Sequence, residues 1–420
     1  MRINTPLALL LLLITLNAAW AGEAPQFRGP DRDGIFQEEG LLREWPEGGP
    51  ELLWTATGIG AGYSSATVAG GKIHITGMTG DLDGMLSVLD LEGNPVRRVP
   101  YGKETDEAQA PGTRSTPTLD GDRLYLLTGP GVVCCIDPGT GEVLWRADLT
   151  ERFGAKKPMW HFAESVLVDG NRVVCTPGTE DALLAALDRN TGETLWTTKG
   201  PKDTPSYCSP TIITHNGRRI LTTATGRHIV GADPETGALL WAFEQKVPWD
   251  IHGVTPLYSP PAPPQAGGKD GLLYYVGGDG AGGGALALSP DGAEVSPVWT
   301  DTTLDCLHSG VVLLDGYLYG TGYKNDGRLV CLEMATGRVM WSTDEVTQGA
   351  LVAADGMLFI YEGPKAGVVS LVKADPAGFT RTGKFTVTAG GRDKHWAHPA
   401  IADGRLYIRH GDTLSAYRIK

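Results

Sequence analysis

The sequence predicts an all-β protein: an eight-bladed β-propeller of four-stranded antiparallel blades, closed by an N-terminal strand added to the last blade. Three observations predict it. A turn-and-tryptophan motif recurs along the chain, a strand motif recurs eight times at near-constant spacing, and a spare tryptophan-bearing strand lies near the N-terminus. Composition agrees. Of 420 residues, 58 are Gly and 28 are Pro, an excess that means many turns and therefore short strands. The chain is also 41 % apolar, with 11 Trp and 13 Tyr, which supplies enough surface for burial and argues against disorder.

The turn motif reads Asp137-PGTGEVLW, Asp188-RNTGETLW and Asp233-PETGALLW, with a variant at Glu333-MATGRVMW. Its chemistry is local: Asp accepts backbone N–H bonds across the turn, Gly takes positive φ, and the following strand carries a Trp for burial. Weaker copies begin at Asp90, Ser289 and Asp375. The strand motif is a Gly followed by alternating apolar and aromatic positions. It starts at Gly70, Gly121, Gly170, Gly217, Gly271, Gly316, Gly356 and Gly404. A period near 50 residues offers four short strands, exemplified by 161–168, 172–176, 183–188 and 193–197. Such a unit cannot bury both faces alone and stacks around an axis as a propeller blade. Seven blades result only if the weak repeat ending near Phe385 is incomplete. The longest interval holds the Pro-rich stretch 259–270, read as a loop inserted between strands.

The last repeat supplies three strands and lacks the Trp-bearing fourth. The segment Glu51-LLWTA, centred on Trp54, is the spare that closes the ring and leaves no free edge. Residues 22–50 form a lead segment before the single propeller of 51–420, and removing 22–49 is expected to cost less than breaking the seam at Trp54. Residues 1–21 read as a secretory signal peptide: Met1-Arg2, the apolar run Leu7–Leu16, and Ala19-Trp20-Ala21 as a cleavage site. The product is then periplasmic or secreted. No Cys stands at the cleavage point, so no lipid anchor is expected, and no later apolar stretch is long enough for a transmembrane anchor. The formal net charge of −13, without basic clusters, argues against nucleic-acid partners.

The DxxTGxxxW repeat resembles that of the quinoprotein-type propellers, the superfamily of pyrroloquinoline quinone (PQQ) dehydrogenases and their non-enzymatic relatives. Those relatives include a propeller lipoprotein that assists outer-membrane protein assembly. The N-terminal Gln26-FRGPDRDG and Gly40-LLREWPEGGPELLW resemble a planctomycete-type subgroup of PQQ-binding-like repeat proteins. The resemblance spans residues 25–420 and implies the propeller fold. For a catalytic member it implies PQQ with calcium, the quinone stacking on a ring of adjacent disulfide-bonded cysteines. The adjacent pair here, Cys134-Cys135, falls in Val132-VCCID, which reads as a blade strand with side chains facing opposite ways. No calcium-ligand constellation carries over, and no cofactor is assigned. No GxSxG, HExxH or haem motif occurs either.

Aligning the repeats places one polar or aromatic segment per blade beside the axis. The candidate ligand-binding residues there are Arg114, Trp160, His161, Glu164, Tyr207, His252, His308, Trp396 and His398. They are read as lining a hydrated channel, forming a polar pocket, or, for the histidines, holding a metal. Trp160, Trp249 and Trp396 fall outside the blade-packing register and suit a ligand platform. The functional expectation is an exported binding or scaffolding propeller for an unidentified protein or saccharide-like ligand. The alternative is a divergent PQQ-dependent oxidoreductase acting on an alcohol or sugar.

Overall fold

The computed structural model describes residues 22–420, apart from 108, 262–270, 364 and 392. The signal-peptide reading and most of the Pro-rich insertion therefore lie outside the described residues. Within them the chain is an eight-bladed propeller of antiparallel sheets. Blade 1 runs from Thr67 to Lys103, blade 2 from Thr118 to Asp148 and blade 3 from Leu167 to Thr197. Blades 4, 5 and 6 span Thr211–Glu244, Leu257–Asp301 and Val311–Thr343, and blade 7 spans Gly349–Thr386. Blade 7 has all four of its own strands, including Arg381–Thr386, so the repeat ending at Phe385 is complete. Blade 8 consists of Ala400–Ala402, Arg405–His410 and Thr413–Arg418, with Leu52–Ala56 as its outermost strand. Trp54 pairs there with Ala416, which is the predicted seam.

The turn motif builds the contacts between blades. Asp137 Oδ1 accepts the amides of Gly139 and Thr140, and Asp188 and Asp233 repeat this with their own turns. The Gly that follows is at positive φ and, in four of the turns, lies beneath the Trp of the preceding blade. At Gly93, Gly192, Gly237 and Gly337, a Cβ would come within 2.5–2.7 Å of the indoles of Trp54, Trp145, Trp196 and Trp299. Several of these indoles also bond across the gap, Trp54 to Leu91 O at 2.9 Å and Trp145 to Arg189 O at 3.0 Å. The core is accordingly a set of clusters between neighbouring sheets. Strand alternation sends Cys134 into the cluster between blades 1 and 2, and Cys135 into the one between blades 2 and 3. All six cysteines are buried and free, as expected for small apolar core side chains.

Two features differ from expectation. The segments beside the axis are loops. In blade 3 the inner strand is only Leu167–Asp169, not 161–168. The amides of these loops bond to hydroxyls of the next blade rather than to a sheet neighbour. Ser65 N donates to Thr116 Oγ1, Thr116 N to Ser165 Oγ, and Ser165 N to Ser209 Oγ, each at 2.9 Å. This ladder satisfies buried backbone groups where converging strands have no room to pair.

The second difference is the lead segment, which is not peripheral. Ala24 bridges to Val68 of blade 1, and Leu119 N of blade 2 donates to Pro25 O. Ile35–Phe36 adds a parallel strand inside blade 7, opposite Ala353 and Ala354. Between these points the chain crosses the axis as a plug. Arg28, 5 % exposed, donates to Val311 O at 2.6 Å in blade 6 and to Leu351 O at 3.0 Å in blade 7. Arg32 donates to Val166 O of blade 3 at 3.1 Å and also to Ser165 O. Trp45 then packs on Phe359 and Phe385. The lead segment is thus bonded into the ring it precedes, with contacts in blades 1, 2, 3, 6 and 7. Its buried guanidiniums tie together carbonyls from blades that share no sheet.

Candidate functional site

The loops before the inner strands converge at one end of the ring around a cavity of about 600 Å³. Its wall is largely aromatic. Tyr63 and Trp396 lie 5.7 Å apart, Trp160 and Tyr207 6.3 Å, and His308 and Trp396 5.1 Å between ring centroids, tilted by 46°, 55° and 60°. Trp249, 65 % exposed, and Met159, 59 % exposed, lie at the edge of this wall. Phe27 of the plug also lines it and meets the His398 ring edge-on at 5.0 Å. The axial cavity is thus built from both the blades and the lead segment.

Six of the nine sequence candidates line this cavity: Arg114, Trp160, Tyr207, His308, Trp396 and His398. The other three do not. Glu164 is buried, accepts the Thr176 amide at 2.9 Å, and is pushed up to about 7 by burial. His252 is fully buried, with Nδ1 on Thr225 O at 2.8 Å and Nε2 on Gln245 Oε1 at 3.0 Å; burial holds it down at about 4. His161 has φ +64° and stands outside the lining.

Of the two lining histidines, His398 is committed to structure through both ring nitrogens. His398 Nε2 bonds to His308 O at 2.9 Å, and its Nδ1 faces the Arg28 guanidinium at 3.3 Å. A guanidinium only donates, so Nδ1 is the acceptor and Nε2 carries the proton. Burial and then the Arg28 charge depress His398 to about 3, and burial depresses His308 to about 4. Both are neutral at pH 7. Among the described residues no group of three or more His, Cys, Asp or Glu is arranged to hold a metal ion.

Sequence reasoning missed the part of Asp305, whose carboxylate is buried beside the cavity. It accepts amides from Tyr323, Lys324 and Gly280 at 2.7, 2.8 and 3.1 Å, fixing the two loops that present Asp279, Tyr323 and Lys324 to the cavity. Its only sequence signal was a lone Asp in a loop. Lys394, also missed, holds its ammonium 4.1 Å from the Trp396 ring centroid and donates to Gln109 O at 2.7 Å.

A family model described as outer membrane protein assembly factor BamB matches residues 51–343 and again 281–419. The chain belongs to that family of PQQ-like propellers. A BamB protein of Shewanella oneidensis is 26 % identical over 261 residues, covering 60 % of this chain and 62 % of that protein. The chain thus spans less than two thirds of the length of this relative. The quinoprotein alcohol dehydrogenase PedH of Pseudomonas putida is 30 % identical over 169 residues, covering 38 % of this chain and 27 % of that enzyme. The solved quinohemoprotein alcohol dehydrogenase of Comamonas testosteroni superposes with a TM-score of 0.68 at 12 % identity, covering 96 % of this chain and 81 % of that one. That likeness is one of fold. The family therefore joins BamB proteins and quinoprotein dehydrogenases on one architecture.

The residues present do not fit a PQQ–calcium centre of the kind the resemblance implied. Cys134 and Cys135 face opposite blade interfaces and offer no sulfur platform to the cavity. Asp279 is the one carboxylate lining the cavity among the described residues, and Lys324 stands 3.5 Å from it. Calcium takes six to eight oxygen ligands, usually including several carboxylates. What the site does offer is ring faces at several orientations, with a few polar groups between them.

Proposed function

We propose that this protein is an exported, non-catalytic binding propeller that takes a saccharide-like ligand in its axial cavity. The observation that carries this reading is the aromatic wall, open at one end and edged by exposed Trp249. Concave sites lined by aromatic side chains with a few fixed polar groups are the usual form of a small-molecule site. His398 spends both ring nitrogens on the fold, and burial keeps His308 neutral at pH 7, which supports binding rather than proton transfer. Similarity to outer membrane protein assembly factors supports a periplasmic or secreted location, and the Gln26–Gly34 motif supports the planctomycete-type subgroup. A partner protein remains the other candidate occupant of the same face.

The test is titration of the purified protein with soluble oligosaccharides, followed by tryptophan fluorescence. Saturable quenching that Trp249→Ala reduces is the expected result. No change with any saccharide overturns the reading.

The second reading, a divergent PQQ-dependent oxidoreductase acting on an alcohol or sugar, is favoured by the segment shared with quinoprotein alcohol dehydrogenase. Its test is the absorbance spectrum after addition of PQQ and calcium, then dye-linked alcohol oxidation. Stoichiometric quinone uptake with dye reduction would establish this reading and remove the first.

A further inference from the structure

The structure assigns a charge preference to this cavity. We propose that it selects acidic sugars, with a hexuronate carboxylate seated at Arg114 and the sugar ring against the neighbouring aromatic faces. This inference rests on the saccharide reading above and narrows it.

Arg114 carries the argument. Its side chain is only 12 % exposed, yet it is not fully paired. Nη2 donates to Ala110 O at 2.7 Å, and the nearest carboxylate, Glu107, stands at the long distance of 3.5 Å. That carboxylate is already shared, because it accepts the amides of Gln109 and Ala110 at 3.0 Å each. Nη1 is buried without a partner among the described residues. A desolvated guanidinium with an unmet donor is unfavourable, and an oxyanion is the group that best relieves it.

The surroundings point the same way. Arg114 shares the cavity lining with Tyr63 and Tyr207; burial pushes both phenols up, and the guanidinium charge opposes that shift without cancelling it. Each of these tyrosines touches a tryptophan, Trp396 and Trp160 respectively. The cation therefore shares the cavity wall with two aromatic pairs. Among charged side chains, Arg114 and Lys324 line the cavity against Asp279 alone, and Lys394 backs Trp396 while Glu107 backs Arg114. His308 and His398 are neutral. The lining itself thus carries two cations against one carboxylate in a chain whose net charge is −13. Tilts of 46–60° between adjacent rings suit a puckered ring with several CH faces better than one flat plate.

The experiment is calorimetric titration of the purified full chain with three probes: trigalacturonate, its methyl ester, and neutral galactotriose. Trigalacturonate is expected to bind about tenfold or more tightly than the other two, the range of one charge-assisted hydrogen bond. Arg114→Gln should reduce that ratio to near one, with thermal unfolding used to establish that the variant is folded. If Arg114→Gln does not fold, the acid-to-ester ratio in the unmodified protein decides alone. Equal binding of acid, ester and neutral sugar would overturn the acidic preference and leave the saccharide site standing. Binding of none of the three would overturn both.

Discussion

Replacing Arg28 with Ala tests whether the lead segment holds the ring together. In the folded protein its guanidinium donates to Val311 O and Leu351 O, which belong to two different blades, and to Asp33 O within the plug. Truncation leaves the two blade carbonyls without this donor in a site too buried for easy hydration. An orphaned buried acceptor costs about 1–3 kcal/mol, so the two together cost about 2–6 kcal/mol. Removing a desolvated charge offsets part of this; the depression of Arg28 to about 10 by burial shows the sign of that offset. The expected net loss is about 3 kcal/mol. Arg43→Ala is the control, since Arg43 is 59 % exposed and pairs with Asp355 at 2.8 Å, a contact worth about 0–1 kcal/mol. The assay is urea unfolding of both variants monitored by tryptophan fluorescence and by circular dichroism, with coincident transitions required before free energies are compared. Equal midpoints and slopes for the two variants would refute the view that the plug ties blades 6 and 7 together. A loss confined to Arg28→Ala would support it.

Other predictions follow from single contacts. Trp54→Ala removes the seam indole with its bond to Leu91 O and should destabilise by about 2–4 kcal/mol, whereas Trp249→Ala, at an exposed position, should stay within about 0.5 kcal/mol. Chemical denaturation reads both. Glu164 has a folded pKa raised to about 7 by burial, so its favourable contribution is complete below the unfolded value near 4.5 and is lost as pH rises through 7. Glu164→Gln should therefore gain about 1–3 kcal/mol over the parent at pH 8 and nothing at pH 4; an equal effect at both pH values would contradict the assignment. His308 and His398 have the opposite sign: their folded values of about 4 and about 3 mean that stability falls as pH drops below about 6.5. A combined His308→Gln, His398→Gln variant, if folded, should show a shallower loss between pH 6.5 and 4. The six buried thiols should resist a thiol reagent in the native protein and all react in denaturant, with reductant leaving the unfolding midpoint unchanged. Early labelling of Cys134 or Cys135 would contradict their burial between blades.

What could be read from the chain, and what could not, divides along sequence distance. The Asp–Thr–Gly–Trp turn closes within a few residues: Asp188 meets the amides of Asn190 and Thr191, and the Gly that follows fixes where the preceding blade's indole must sit. Repeated in seven full or weaker copies, such local chemistry dictates the ring, and strand alternation alone separates Cys134 from Cys135. The candidate site was legible in part, because aligning repeats brings Arg114, Tyr207, His308 and Trp396 to one end without knowing what each side chain touches. The same alignment also drew in Glu164 and His252, whose polar atoms turn out to serve neighbouring loops. The plug had no such signal. Arg28 finds its acceptors 283 and 323 residues away, and a basic residue in a Gly- and Pro-rich lead has no periodicity to mark it as buried. Its one local sign is conformational, since Arg28 and Arg32 both adopt positive φ, at 63° and 60°. Positive φ is rare for bulky side chains and persists where the surroundings over-determine it. Here the surroundings are carbonyls from blades 3, 6 and 7, so the Gln26–Gly34 motif is best understood as a device that aims two guanidiniums in opposite directions across the axis. Because Phe27, immediately before Arg28, lines the cavity, the same device that ties the blades also supplies part of the surface a ligand would meet.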